Sequence, residues 1–207
     1  WNNCLVAGVT KVGLYYTNNS GDPSRTWNLI TDNTQNTGNY VWNPVPRALA
    51  DLNNTNKIRI TQFEPSNEAG TAIESEGDFA LLGALAVTNP SQGNESWGVN
   101  VPQRIKFTKK GNLQEADLWY SYDGAANHYV KITPTPINIA DGCEPGCKDG
   151  ADYFYDWALD PGTTPLTSGF TGRIKAKAVT PNTQTAVEGI SSVLEVKGTV
   201  TLIAPTG

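Results

Sequence analysis

The 207-residue sequence contains no methionine, one histidine and three cysteines. With a single imidazole, any Ser-His-Asp or Cys-His arrangement must run through His128, and no nucleophile motif accompanies it. A zinc or redox centre would need a second cysteine pair or further histidines. No phosphate loop or dinucleotide fingerprint occurs. Paired carboxylates for glycoside hydrolysis come from distant strands and leave no local motif to read; with no nucleophile, cofactor or phosphate-loop motif present, catalysis is not expected. No apolar run approaches the roughly eighteen residues of a membrane helix, and no charged stretch leads into an apolar one as in a signal peptide. Positive charge is also scarce: 15 Lys and Arg stand against 20 Asp and Glu, a net charge of −5. That balance argues against nucleic acid or an anionic membrane as partner, because both attract clustered cations.

What is present suffices for a buried core, with 38% hydrophobic residues, six Trp and eight Tyr. The apolar residues fall in short runs at every second position, the period of a strand with one buried face. One such run, Phe79 to Gly93, returns in phase as the last fifteen residues. Setting Pro90 on Pro205 gives an offset of 205 − 90 = 115, which places Gly83 on Gly198, Leu81 on Val196, Leu85 on Val200 and Val87 on Leu202. Other pairs follow in unchanged order: residues 116–121 match 12–17, with Leu118 on Leu14 and Tyr120 on Tyr16, 128–132 match 26–30, 155–157 match 40–42 and 173–177 match 57–61. The offset falls to 128 − 26 = 102 and recovers by the tryptophan, so an insertion is expected between Ile132 and Asp152.

These runs, separated by Asn, Gly, Asp and Pro clusters, predict an all-β chain. The expected organisation is two tandem Ig-like β-sandwich modules of about seven strands each, plus the first strand of a third. The boundaries are 1–83, a module lacking its first strand and so open to strand pairing at its N-terminal edge, 84–198, a complete module with a Cys-containing inserted loop, and 199–207, the start of a following module. Trp42 and Trp157 are expected in the two cores. One or two helical turns are expected over 47–52, and an acidic loop over 64–78. A chain that opens on Trp1 is expected to be a processed product or a segment of something longer.

Residues 88–98 (Thr-Asn-Pro-Ser-Gln-Gly-Asn-Glu-Ser-Trp-Gly) resemble the opening of tandem Ig-like or fibronectin-III-like repeat modules in large secreted bacterial cell-surface proteins, where a Pro-x-Gly-Gly-Glu-x-Trp-x-x-Gly stretch begins each repeat. Pro90, Gly93, Glu95 and Trp97 carry that likeness. Residues 16–21 with Trp27, and 120–124 with Tyr129, are similar to the family's Tyr-Ser-x-Asp-Gly-Gly turn followed by Trp. Residues 36–42 resemble its Asn-Thr-Gly-x-Tyr-x-Trp strand. The resemblance implies repeats in a long extracellular or cell-surface protein, a filament, a surface-layer subunit or a giant surface protein. There the modules act as a stiff spacer, with neighbouring modules and other copies as partners.

The segment most unusual in composition is 141–152. Cys143 and Cys147 flank Glu-Pro-Gly, a turn that brings two Cα atoms within the roughly 4.4–6.8 Å a disulfide spans, and a local disulfide is expected. Asp141, Glu144, Asp149 and Asp152 supply hard oxygens at close spacing, the ligand type calcium takes. Their spacing is not that of an EF-hand, so a solvated acidic loop is expected, with calcium as the alternative and no other cofactor. The aromatics around 119–129 and 153–155 are expected mainly to pack. Trp119 and Tyr122 are the candidates for stacking on sugar rings, in the alternative reading of a carbohydrate-binding or adhesion module. Cys4 has no evident partner, and sequons at Asn18, Asn53 and Asn94 fall in polar turns.

Overall fold

The computed structural model describes residues 1, 9–45, 55–64, 72–140, 150, 152–180 and 185–198. The chain is all-β and divides into two compact units, Trp1–Leu81 and Leu82–Gly207. The helical turn expected over 47–52, the cysteines expected to pair, Cys143 and Cys147, and Cys4 lie outside the described residues.

In unit 1, β1 (Lys11–Thr17), β2 (Asn28–Gln35), β3 (Lys57–Glu64) and β4 (Ile73–Glu74) form one antiparallel sheet in the order β2-β1-β3-β4. Alternation decides which face is apolar: Val12 and Leu14 are buried, Leu14 lies opposite Ile60, and Tyr16 lies opposite Ile58. Three expectations need correction. The run 40–42 forms no strand, and Val41 is 83% exposed. Among the described residues no strand of unit 1 runs beside it, and an unpaired strand leaves its amides unsatisfied. Trp42 is half-buried rather than a core residue, packed on Tyr16 with ring centroids 5.2 Å apart. The acidic stretch 64–78 also contains a strand, β4, too short for alternation to reveal it.

Unit 2 comprises β5 (Ala84–Asn89), β6 (Glu95–Gly98), β7 (Gln103–Lys110), β8 (Glu115–Ser121), β9 (Val130–Lys131), β10 (Ile137–Asn138), β11 (Asp152–Trp157), β12 (Arg173–Thr180), β13 (Glu188–Ile190) and β14 (Leu194–Lys197). One sheet runs β11-β7-β5; the other runs β10-β8-β12-β13, with β9 also on β8. This is the immunoglobulin-type partition of strands between two layers. Among the described residues only β6 and β14 pair in parallel. Residues of both layers share one core: Leu85, Ile105, Phe107 and Trp157 from one, and Leu118, Tyr120, Ile174 and Ala176 from the other. Of the run 128–132, His128 ends a 3-10 turn, Ala126–His128, and only Val130 and Lys131 are strand, β9.

The repeat expected from sequence is present as paired backbone. Leu118 faces Ala176 and Tyr120 faces Ile174 across β8 and β12, as Leu14 faces Ile60 and Tyr16 faces Ile58 across β1 and β3. Arg59 faces Glu74, and Lys175 faces Ile190. Between units, β3 and β4 map onto β12 and β13 at a constant offset, 175 − 59 = 190 − 74 = 116. Tyr120 packs on Trp157 at 5.0 Å, the counterpart of Tyr16 on Trp42.

The opening turn of unit 2 has a physical basis. Gly93 takes φ +78°, which a side chain would strain. The Glu95 carboxylate accepts the amides of Ser91 (2.8 Å), Gln92 (2.8 Å) and Gly93 (3.0 Å), and Trp97 is buried beyond it. Burial pushes the Glu95 carboxyl up, but these amides outweigh it, so its pKa lies below the ordinary 4.5. A depressed folded-state pKa contributes stability above the unfolded value that is lost as pH falls through the folded one. Acid should therefore lower the melting temperature of wild type more than that of Glu95→Gln, with the two curves converging below pH 4.5; parallel curves by circular dichroism would contradict the clamp. In the core, Trp157→Ala should cost about 3–5 kcal/mol in denaturant unfolding, and Trp42→Ala distinctly less. Gly189→Ala should cost about 1–3 kcal/mol by overpacking, because a Cβ there collides with the Leu85 carbonyl.

Candidate functional site

The outer face of the duplicated sheet carries the densest grouping of aromatic and charged side chains. In β8 the core side takes Leu118 and Tyr120, so alternation turns Trp119 outward. Register places Lys175 directly opposite it. The Lys175 ammonium lies 4.3 Å from the Tyr129 ring centroid and 6.0 Å from that of Trp119, and 3.5 Å from Glu188. Lys177 reaches the same carboxylate at 3.6 Å. Lys131, also opposite Trp119, pairs with Asp117 at 2.9 Å.

Unit 1 repeats the theme with stronger cations. Trp27 lies under Arg59 (4.3 Å) and Arg25 (5.6 Å), and both guanidiniums bind Glu74 at 2.9 Å. Burial pushes the Glu74 carboxyl up, but its two arginines prevail and hold it below the ordinary value. An acidic residue read as part of a solvated loop is thus the anion of a two-arginine clamp; Glu76 of the same stretch is exposed, and Glu68 lies outside the described residues.

The two candidates for sugar stacking sit in different settings. Trp119 is half-buried beneath Lys175, and its indole N–H has no hydrogen-bond partner among the described residues. Tyr122 is 36% exposed and stacks on His128, centroids 5.1 Å apart and planes within 14°. His128 Nδ1 lies 2.7 Å from Asp123, whose other oxygen accepts the Ala125 amide at 2.9 Å and the Ser121 hydroxyl at 3.1 Å. The Ala125 amide, with His128 and Ser121, holds the Asp123 carboxyl below its ordinary range. The order Ser121, Asp123, His128 puts the carboxylate in the middle. The hydroxyl therefore donates to the carboxylate rather than to the imidazole, unlike a Ser-His-Asp triad, in which the imidazole stands between the two.

Of the calcium candidates, Asp152 is exposed at the start of β11; Asp141, Glu144 and Asp149 lie outside the described residues. Among the described residues no three His, Cys, Asp or Glu side chains converge. Three side chains passed over in the sequence reading stand out. Arg104 binds Asp156 through two nitrogens (2.7 and 2.8 Å) and lies 4.3 Å from the exposed Phe154 ring. Lys109 is buried, its ammonium donating to the Leu113 carbonyl at 2.6 Å. Its signal was available, since Lys109 continues the alternation of Ile105 and Phe107. Lys175 had a weaker signal, visible only once register sets it against Trp119. Lys175→Met should leave the fold intact, cost about 0.5–1 kcal/mol, and shift tryptophan emission by removing the cation beside Trp119.

No known protein family matches the chain, and no curated protein does. Among solved structures it is similar to the crystal structure of the teleost fish polymeric Ig receptor (pIgR) ectodomain, at 8% identity and a TM-score of 0.30, covering 93% of this chain and 87% of that one.

Proposed function

We propose that the chain is a structural segment of a long extracellular or cell-surface protein, whose Ig-like units follow one another as a stiff spacer and carry no catalytic centre. The observation that supports this most directly is the duplicated sheet, built twice with the same strand pairing, β1-β3-β4 in one unit and β8-β12-β13 in the other. Repetition of a unit that buries its own apolar face is the logic of an array. Unit 1 is still paired at Phe79, which bridges Asn56, and β5 of unit 2 starts at Ala84. A succession with so few intervening residues favours a spacer over freely swinging domains. Strands of roughly ten residues at about 3.4 Å each give a spacer on the order of 35 Å per unit. The motifs shared with tandem modules of secreted bacterial proteins support the same setting, as does the structural use of Gly93, Glu95 and Trp97. Neighbouring modules and further copies of the chain are its partners in this reading.

The exposed Tyr122–His128 stack favours a second reading, a carbohydrate-binding or adhesion module with calcium as a further ligand. A glycan array probed with and without chelator distinguishes the two. The spacer reading expects no saturable binding, whereas signal lost on Tyr122→Ala would favour the second. For the spacer itself, inserting a short Gly-Ser linker between Leu81 and Leu82 should raise the radius of gyration and spread in small-angle scattering. A native chain already as broadly distributed as the insertion variant would rule out stiffness.

A further inference from the structure

On the outer face of β8 and β12 the lysines are neutralised within unit 2: Lys131 has Asp117, and Lys175 and Lys177 share Glu188. The outer face of the β11-β7-β5 sheet is built differently. On β7 the core side takes Ile105, Phe107 and Lys109, so alternation turns Arg104, Lys106, Thr108 and Lys110 outward. Lys106 and Lys110 are exposed, and among the described residues neither has a carboxylate partner. On β5 the neighbours level with Lys110 and Thr108 are the exposed Ala84 and Ala86, too short to screen the basic row.

An acidic row runs beside it on β11. Register sets Asp156 level with Arg104, Phe154 level with Lys106 and Asp152 level with Thr108. Asp156 is taken by Arg104, whereas Asp152 is exposed and has no cation among the described residues. Phe154 is 55% exposed, and its ring is propped by Arg104, 4.3 Å from the centroid and itself fixed on Asp156 by two hydrogen bonds. The face thus offers two unanswered lysines, one unanswered carboxylate and a held aromatic ring.

We propose that this face seats the same face of a second copy of the chain, about a two-fold axis parallel to the strands and between β7 and β11. Such an axis lays β11 of each copy over β7 of the other and keeps every residue at its own level. Asp152 of the partner copy then stands over Thr108, flanked along β7 by Lys106 and Lys110, each about 6.8 Å away along the strand. Phe154 of the partner copy comes over Lys106, where a cation meets a ring. The unanswered carboxylate of each copy therefore meets the two unanswered lysines of the other. Aligned sheets keep their strands within about 30° of each other, which so short a run tolerates. The same patch serves both copies, so the contact is isologous and closes at a pair. It is small against the roughly 20–30 residues a side of a standard interface, and the pair is weak. This deepens the spacer reading, in which further copies are partners, and rests on it for its purpose, since it joins spacers side by side.

The test uses the full chain in sedimentation velocity, from micromolar up to roughly 1 mM because the contact is weak. Wild type should pass from monomer to dimer and no further, and added salt should weaken the dimer by screening its charges. Asp152→Lys, and separately the double variant Lys106→Asp with Lys110→Asp, should each stay monomeric, because each sets like charges against one another. All three positions are exposed, so circular dichroism spectra and melts should match wild type. Mixed in equal amounts, the two variants should pair again, since both contacts of the mixed pair join opposite charges. Their net charges, −5 + 2 = −3 and −5 − 4 = −9, have the same sign, so overall attraction would not explain that rescue. A wild type that stays monomeric, a dimer that survives either change, oligomers beyond the dimer, or a mixture that fails to pair would each overturn the proposal. So would a monomeric wild type that binds dextran sulfate through Lys106 and Lys110, which would make the occupant a polyanion. Stiffness is read from dilute monomer by scattering, so loss of the dimer would leave the spacer reading standing.

Discussion

The pairing of two central strands, β1 with β3 and β8 with β12, is the constraint on which the rest of the structure depends. Side chains in a strand alternate with a period of two, so a slip of one residue would turn every apolar side chain of the pair to the wrong face. In both units the register sets Leu opposite an aliphatic residue and Tyr opposite Ile on the core side. The same register fixes the outer face, where Arg59 and Lys175 come level with Tyr15 and Trp119. Core and outer surface are thus two consequences of one alignment.

The units diverge in what lies over that shared sheet. In unit 2 a second layer covers it, and Tyr120 and Trp157 are both nearly inaccessible. In unit 1 the same aromatic pair exists, Tyr16 on Trp42, but both rings are half-buried. Each fully buried large apolar side chain contributes about 1.5–3 kcal/mol, so among the described residues the larger share of the hydrophobic stabilisation resides in unit 2. Unit 1 leans more on polar devices: the two-arginine clamp on Glu74, and the buried Asn56, whose side-chain amide donates to the Phe79 carbonyl at 3.0 Å.

The charged outer face is a modest contributor to stability. Exposed ion pairs contribute roughly 0–1 kcal/mol, and Lys175 divides its ammonium between a carboxylate and two rings. Its consequence is mainly for recognition. A tryptophan half-buried under a cation offers less open ring surface than one standing free, whereas Tyr122 keeps an edge in solvent. That contrast separates two residues that look alike as aromatic neighbours in the chain.

Alternating runs, the repeat and its equivalences, Tyr16 with Tyr120 and Trp42 with Trp157, were legible in the sequence because strand period and core aromatics are local properties. So was the opening turn of unit 2, since Gly93 and Glu95 act on neighbouring residues. The short strand β4, the unpaired stretch at Tyr40 and Val41, and the 3-10 turn at His128 were not legible. A two-residue strand shows no period, and whether an apolar run pairs depends on a partner far away in sequence. The outer-face contacts of Lys175 and Arg59, and the burial of Lys109, likewise required the register between distant strands. The sequence by itself determined that the chain is all-β and built on a repeat, because those follow from spacing along the chain. Only the tertiary structure decided which face each repeat buries, how completely, and which cations meet which rings, because these depend on which strands lie side by side.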